Sequence, residues 1–137
     1  FLYDQTKRMI QEYTTYGYKK KDVTFPLKYI DYTAFTQDSR QILAANRSGV
    51  LKFNFKDRQW SNAVDPSIFG GLEIKAMALH KNIVFIANEN GIVQYDMKKN
   101  LMDVFNYSFI GQVNDIYIKG RKIWLGTTEG LISYRYK

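Results

Sequence analysis

Cysteine is absent from this sequence of 137 residues, and histidine occurs once, at His80. Without cysteine, the chain has no disulfide, no thiolate metal ligand and no cysteine nucleophile. A single histidine excludes metal sites built on a histidine pair and leaves one candidate base for a His-based triad. Only 2 prolines and no low-complexity tract argue against a long flexible linker. We therefore expect no catalytic residue, no metal and no cofactor in this segment.

Long apolar runs are also missing. No run approaches the roughly 18 residues of a membrane span, so we expect no membrane insertion in this segment. No signal peptide is visible either. That absence is weak evidence, because the chain opens Phe1-Leu2-Tyr3-Asp4 without an initiator Met, as a piece of a longer protein would.

The residues that are present indicate a globular β-protein. Hydrophobic residues make up 45% of the chain and charged residues 24%, a folded rather than a disordered balance. Aromatic residues make up 16%, and 11 of them are Tyr, which favours strands. The net charge of +7 fits nucleic acid, an anionic surface or solubility alone.

The sequence repeats itself. In each copy three apolar residues precede Ala or Gly, three polar residues, a glycine and, four residues later, an aromatic. The glycines are Gly49, Gly91 and Gly130, which lie 42 and 39 residues apart. A fourth copy is predicted at the amino terminus, where Phe1–Asp4 aligns with Val93–Asp96 and Met9–Tyr13 with Leu101–Phe105. Internal repetition at this period is typical of propellers.

Each unit reads as four strands, predicted in one copy over 74–79, 83–87, 92–96 and 101–105. Asn90-Gly91 predicts a type I′ hairpin between the second and third strands, with glycine at a positive φ. The second strands, such as Val84-Phe85-Ile86, are apolar on both faces and therefore belong to sheets covered on both sides. The third strands alternate between apolar and polar residues.

These patterns predict an all-β fold, a β-propeller fragment of four-stranded antiparallel blades. We predict a single partial propeller over 1–137, comprising the end of a blade (1–16), two blades (29–64 and 74–107) and an incomplete last blade (113–137). The 13 predicted strands amount to about three and a quarter blades. Propellers close with at least about four blades. The chain is therefore either a fragment of a larger propeller or one that a second copy completes as a homodimer.

One segment resembles a known family. Ile123-Trp124-Leu125-Gly126-Thr127, followed by Gly130-Leu131 and Tyr134, is similar to the two-component regulator propeller repeat. The other copies are degenerate, with Leu43 and Phe85 in place of the Trp. The resemblance implies the periplasmic sensor region of a hybrid two-component system of Bacteroidetes, often responding to polysaccharide fragments and signalling to a histidine kinase. The repeat also occurs in other periplasmic propellers.

Candidate catalytic residues have simpler explanations. His80 falls in a predicted turn without a nucleophile and a carboxylate in register, so we interpret it as a solvated residue. Glu89 and Glu129 occupy equivalent turns of adjacent blades, where a polar side chain is ordinary. We therefore expect a binding segment and not an enzyme.

The turns between first and second strands and between third and fourth strands lie at one end of each blade. They hold 11 of the 20 basic residues, against Asp38 and Asp57. An anionic partner such as lipopolysaccharide, a membrane or an acidic glycan fits this end, but lysines at turns also keep strand edges soluble, which is the interpretation we favour. Nucleic acid fits poorly, because no interleaved aromatic platform is present. We interpret Lys19-Lys20-Lys21 as a solvated loop. The basic residues are Lys7, Arg8, Arg40, Lys56, Arg58, Lys81, Lys98, Lys99, Lys119, Arg121 and Lys122.

The opposite end suggests a sugar site. Amides, hydroxyls and charged groups there lie near aromatic residues, a combination that suits an oligosaccharide. Ordinary turn chemistry is the alternative. The candidate ligand-binding residues are Asn46, Arg47, Asn88, Glu89, Thr127 and Thr128, and the nearby aromatics are Trp60, Phe69, Tyr107 and Phe109. The alternative to a sensor is a periplasmic scaffold that docks a protein or an anionic glycolipid.

Overall fold

A computed structural model of the chain describes residues 2–4, 9–24, 32–46, 49–64, 73–89, 91–105 and 110–136. Within these residues the chain forms 14 β-strands and no α-helix, all of them in antiparallel sheets. The predicted all-β class is confirmed.

The first 31 residues form a compact unit of their own. It contains β1 (Leu2–Asp4), β2 (Met9–Tyr13) and β3 (Lys19–Thr24), in the order β1-β2-β3. One prediction is wrong here. Lys19-Lys20-Lys21 lies in a strand and not in a loop, and with this strand the described strands number 14 instead of the predicted 13.

The alignment of this first copy was also in the wrong register. A fourth strand forms the outer edge of a blade, yet β2 lies in the middle of its sheet. The turn after β2 contains Gly17 at φ 85°, in the sequence Thr14-Thr15-Tyr16-Gly17. The same letters, Thr-Thr-x-Gly, precede the last repeat strand at Thr127–Gly130. Gly17 therefore lies in the turn between β2 and β3, with a φ below the 121–148° of Gly49, Gly91 and Gly130.

Residues 32–137 form the second unit, with three sheets. Sheet I contains β4 (Ala34–Gln37), β5 (Gln41–Asn46), β6 (Gly49–Asn54) and β7 (Trp60–Val64). Sheet II contains β8 (Ala76–His80), β9 (Ile83–Asn88), β10 (Gly91–Asp96) and β11 (Leu101–Phe105). Sheet III contains β12 (Val113–Lys119), β13 (Lys122–Thr127) and β14 (Gly130–Arg135). In every sheet the strands pair in chain order, as predicted for propeller blades.

The hairpins between second and third strands have a different geometry from the one predicted. The pairs Asn46–Gly49, Asn88–Gly91 and Thr127–Gly130 close two-residue loops, so each glycine begins the following strand. All three glycines have a positive φ, between 121° and 148°. Thr128 and Glu129 are not among the described residues with a positive φ, so the last loop is not type I′.

The three sheets of this unit are held together by their apolar faces. Val84 and Ile86 of β9 point into a cluster shared with sheet I, whereas Phe85 and Ala87 point into one shared with sheet III. The ring of Phe85 lies 5.1 Å from that of Tyr136, in edge-to-face geometry. The prediction that the second strand is covered on both faces is confirmed for β5 and β9, whereas Trp124 of β13 is only half-buried.

The first strands of the three sheets lie side by side, with β8 between β4 and β12. Two hydrogen bonds join sheets I and II there. The Thr33 hydroxyl donates to the Ile74 carbonyl (2.8 Å), and the Leu79 amide donates to the Thr36 hydroxyl (3.2 Å). Successive sheets therefore stack as blades of a β-propeller, with their first strands innermost.

Replacing Phe85 with Ala should lower the free energy of unfolding by about 3–5 kcal/mol, because a fully buried ring leaves a cavity between two sheets. Val104→Ala on exposed β11 is the matched control and should change it by less than about 1 kcal/mol. Urea unfolding followed by circular dichroism measures both. Equal losses in the two variants would contradict the two-sided core.

Candidate functional site

Five of the six predicted ligand residues lie at the hairpin edge, which we define as the described residues of the loops 46–49, 88–91 and 127–130. Asn46 and Asn88 are buried there, with only 2% and 7% of their surface exposed. The Asn88 Oδ1 accepts a hydrogen bond from the Gly91 amide (3.1 Å), which closes the loop. Arg47 lies outside the described residues. The Asn88 amide therefore stabilises its loop, and a ligand-binding role for Asn46 and Asn88 stays a prediction.

Thr127 and Thr128 are also engaged by the backbone. The Thr127 hydroxyl donates to the Gly130 carbonyl (2.8 Å) and accepts from the Glu129 amide (3.1 Å). The Thr128 hydroxyl accepts from the Gln112 amide (3.0 Å). A Cβ at Gly111 would clash with the Thr128 hydroxyl, so glycine lets this segment pass close to the loop. Glu89 and Thr128 remain exposed at this edge.

The aromatic residues predicted near this edge do not form a described platform. Trp60 is half-buried on β7, with its ring 5.2 Å from that of Phe53 on the neighbouring strand. Phe69, Tyr107 and Phe109 lie outside the described residues. The structure thus places Trp60 in sheet packing and leaves the sugar site a prediction.

Sheet III has one covered face and one open face. Trp124 and Gly126 point away from the cluster shared with sheet II, as do their cross-strand partners Tyr117 and Leu131. Tyr117 is 61% exposed and Leu131 is 72% exposed. The Lys122 ammonium lies 4.3 Å from the centre of the Trp124 ring. We call these four residues, Tyr117, Trp124, Gly126 and Leu131, the open face.

The same repeat positions are buried in the other two sheets. Six residues before the repeat glycine, Leu43 and Phe85 are fully buried, whereas Trp124 is half-exposed. One residue after it, Val50 and Ile92 are 1% and 0% exposed, against 72% for Leu131. In sheets I and II the next sheet covers these positions. The open face thus has the residues of a sheet-to-sheet interface.

The basic edge comprises the turns at the opposite end of the sheets, at 38–41, 55–59, 80–83, 97–100 and 119–122. Its described basic residues are exposed, apart from half-buried Lys122, whereas Lys7 and Arg8 lie outside the described residues. Asp96 is a third carboxylate at this edge, in addition to the two counted from the sequence. Asp38, Asp57 and Asp96 each accept backbone hydrogen bonds from their own turns. Asp38 also lies 3.6 Å from the Arg40 guanidinium. The edge is therefore predominantly positive.

His80 is the last residue of β8 and not a turn residue, which corrects its predicted position. It is half-buried, and its ring lies 6.0 Å from that of Tyr136. The Tyr136 hydroxyl donates to the Gly120 carbonyl (3.3 Å). Burial raises the pKa of Tyr136, and the nearby Arg121 partly opposes this rise. His80 thus takes part in packing between sheets II and III.

The described part of the chain contains no group of three acidic or histidine side chains arranged to hold a metal. It also contains no helix long and apolar enough to cross a membrane.

Several features of these surfaces were missed in the sequence. The alternation of β13 places Trp124 and Gly126 on one face, and the alignment of Trp124 with the apolar Leu43 and Phe85 is the signal in the sequence that marks this face for packing. Gln41, Lys52 and Asn54, which line a cavity at the basic edge, carry no such signal, because each is an ordinary polar residue in a strand.

Solved structures show the same fold over most of the chain. One is the extracellular domain of a protein described as a hybrid two-component system of B. thetaiotaomicron, with TM-score 0.66 and 21% identity, covering 90% of this chain. A second such extracellular domain from that organism has TM-score 0.60 and 20% identity, covering 82%. The computationally designed protein Ika8 has TM-score 0.58 and 17% identity, covering 87% of this chain and 37% of its own.

The chain spans only 18% and 15% of the two B. thetaiotaomicron domains. No family model and no curated protein matches the sequence. At this level of identity the likenesses show the fold, a propeller-type stack of antiparallel sheets.

Proposed function

We propose that this chain is a binding segment of the extracytoplasmic sensor region of a hybrid two-component system, located in the periplasm. Its ligand is an oligosaccharide, and a histidine kinase elsewhere in the parent protein receives the signal. The fold shared with two extracellular domains of such systems supports this proposal. So does the repeat resemblance around Trp124. The segment itself binds and does not catalyse.

The open face is the observation that carries the proposal. Exposed apolar patches of this kind mark interaction sites. Because the equivalent residues of sheets I and II lie under the next sheet, a further blade is the partner that fits. The chain then acts as one arc of a larger propeller, as expected for a segment spanning under a fifth of each sensor domain.

A mechanism follows from the way the sheets stack. Each sheet is joined to the next through apolar contacts, and loops of successive sheets line the hairpin edge. A ligand that touches loops of two sheets binds best at one relative position of those sheets and shifts the population toward it. Exposed Glu89 and Thr128 belong to sheets II and III and supply polar groups for such contacts.

A second candidate function is a scaffold that docks a protein or an anionic glycolipid. The observation that favours it is the predominance of cations at the basic edge, since positive surfaces attract anionic partners. Such docking weakens with added salt, whereas sugar recognition through hydrogen bonds and ring stacking does not.

The proposed blade interface can be tested by extending the chain. A second copy of residues 98–136 is joined to the chain after Tyr136. This added copy supplies a fourth strand for sheet III and a following sheet, both in register with the repeat. Trp60→Phe and Trp→Phe in the added copy leave Trp124 as the only tryptophan. We expect a blue shift of Trp124 emission and weaker quenching by iodide, because the added sheet covers the ring.

The control is the same extended chain with Ile→Asp in the added copy at the positions of Ile116 and Ile123, which removes its apolar face. Its Trp124 emission should match that of the unextended chain. If the extended chain leaves Trp124 equally accessible to iodide, the open face is not a blade interface. Protection of Trp124 in the unextended chain that rises with protein concentration would identify a second copy as the partner.

Ligand binding at the hairpin edge is tested with an oligosaccharide array followed by calorimetry. Glu89→Ala combined with Thr128→Ala should weaken binding of a captured oligosaccharide at least about tenfold, because hydrogen bonds to the sugar are lost. Lys56→Met, at the opposite edge and outside both cavities there, should leave that affinity unchanged. Asn88→Ala is not used, because Asn88 is buried and would lose its loop-closing hydrogen bond, whereas the hydroxyl of Thr128 that accepts from the Gln112 amide is exposed to solvent.

Binding that disappears at high salt and is insensitive to Glu89→Ala and Thr128→Ala would replace the sensor proposal with the anionic scaffold. An array without any saturable ligand would contradict the oligosaccharide part of the proposal.

A further inference from the structure

A cavity of about 270 Å³ opens at the basic edge between sheets I and II. Gln41, Lys52 and Asn54 line it from sheet I, and Asn82 and Lys98 from the turns of sheet II. The register explains why the strand residues converge. Gln41 pairs with Asn54 and Leu43 pairs with Lys52, so all four side chains lie on the face of sheet I that packs against sheet II. Met97, which packs against the cluster shared by the two sheets, supplies the apolar part of the lining.

The polar lining combines two kinds of group, neutral amides and charged ammonium groups. The amides of Gln41, Asn54 and Asn82 can bond hydroxyl groups. Gln41 can do so through its oxygen, because its nitrogen donates to Asp38, and Asn54 through its nitrogen, because its Oδ1 accepts from the Lys56 amide (2.8 Å). Gln41 is 8% exposed, so one amide is fixed at the buried end of the cavity, where its Nε2 donates to Asp38 at 3.5 Å. This mixture of amides and a methionine surface suits a small polyhydroxylated ring.

The cavity also has cations without local partners. Arg40 is paired with Asp38 and donates to the Lys81 carbonyl. Lys52 and Lys98 form no ion pair with any residue that the structure describes. The Asp96 carboxylate, the other acidic group close by, accepts hydrogen bonds from the Lys98 and Lys99 amides. Two ammonium groups are thus available to an anion in the cavity.

A second cavity at the same edge provides a contrast within the molecule. It lies on sheet III, measures about 480 Å³, and is lined by Lys119, Arg121, Lys122, Arg135 and Tyr136. Arg121 lies nine residues before the repeat glycine, as Arg40 does in sheet I. Arg135 lies five residues after it, at the position of Asn54. This cavity has four cations and no amide side chain, so it offers mainly positive charge and N–H donors and lacks the amide oxygens of the first cavity.

We infer that the cavity between sheets I and II binds an acidic sugar residue, with its carboxylate or sulfate on Lys52 and Lys98 and its hydroxyls on the amides of Gln41, Asn54 and Asn82. The volume is close to the lower end of the range of about 300–1,000 Å³ for ligand sites, which limits the occupant to about one ring. The inference goes beyond the proposed function, since it rests on a cavity at the opposite edge from the hairpin loops. It holds whether or not the parent is a sensor.

The test is calorimetric titration of the full chain with trigalacturonic acid at about 0.15 M salt, where weak long-range attraction is largely screened. We expect saturable binding, and at least tenfold weaker binding in Lys52→Met and in Lys98→Met, because each loses a charge-assisted hydrogen bond. Asn82→Ala should weaken the binding of trigalacturonic acid but not the binding of inorganic sulfate. The matched neutral trisaccharide of galactose should bind at least tenfold more weakly.

The controls remove equal charge elsewhere on the same edge. Lys56 lies outside both cavities, and Lys119 lies in the cavity of sheet III, so we use Lys56→Met and Lys119→Met. Both should leave the affinity for trigalacturonic acid within about twofold. Lys98 is exposed, so Lys98→Met is expected to fold normally and keeps the test valid if the partly buried Lys52 does not tolerate replacement.

Four results would overturn the inference: no binding of trigalacturonic acid, equal losses in the control variants, equally tight binding of inorganic sulfate, or binding only to vesicles of phosphatidylglycerol. The last result would assign the edge to an anionic lipid surface. Glu89→Ala with Thr128→Ala separates this test from that of the proposed function, because those changes should leave trigalacturonic acid binding intact.

Discussion

The structure depends on a central strand that must be covered on both faces. In β9, Val84 and Ile86 point to one side and Phe85 and Ala87 to the other, and all four are fully buried. A sheet with such a strand cannot be stable as an outer layer, because one face would expose several large apolar side chains at about 25 cal/mol per Å². Neighbouring sheets are therefore needed on both sides. Because of this requirement the sheets stack on one another, and the uncovered face of a terminal sheet becomes an interaction surface.

Equivalent residues acquire different roles according to their place in that stack. Leu43, Phe85 and Trp124 share one repeat position, and the first two are buried under the next sheet. Trp124 instead lies half-exposed beside the Lys122 ammonium. The residue at this repeat position is thus apolar in every copy, whereas its exposure to solvent depends on whether another sheet covers it.

Much of the fold could be predicted because its determinants are local. Repeat glycines and two-sided apolar strands located sheets I, II and III, and the positive φ of Gly49, Gly91 and Gly130 was correctly expected. The place of the first copy in the repeat was predicted wrongly, because the residue pattern of Met9–Tyr13 fits more than one strand of the repeat. Only the pairing of β2 with β3 shows that β2 is a central strand. The cavity of Gln41, Lys52 and Asn82 could not be predicted from local pattern, since it forms where two sheets meet. Its residues come from strands and turns up to 57 positions apart, from Gln41 to Lys98.

The two edges of the stack differ in how their polar groups are used. At the hairpin edge Asn88 and Thr127 bond the backbone of their own loops, so much of the polarity noticed in the sequence is already satisfied. At the basic edge the carboxylates close the turns and the lysines remain available. Positive charge alone is weak evidence for a site, because two exposed charges 4 Å apart interact by only about 1 kcal/mol in water. What distinguishes the cavity between sheets I and II is that Lys52 and Lys98 converge there with a buried amide, Gln41, and that combination gives shape and hydrogen bonding to what would otherwise be a diffuse charge.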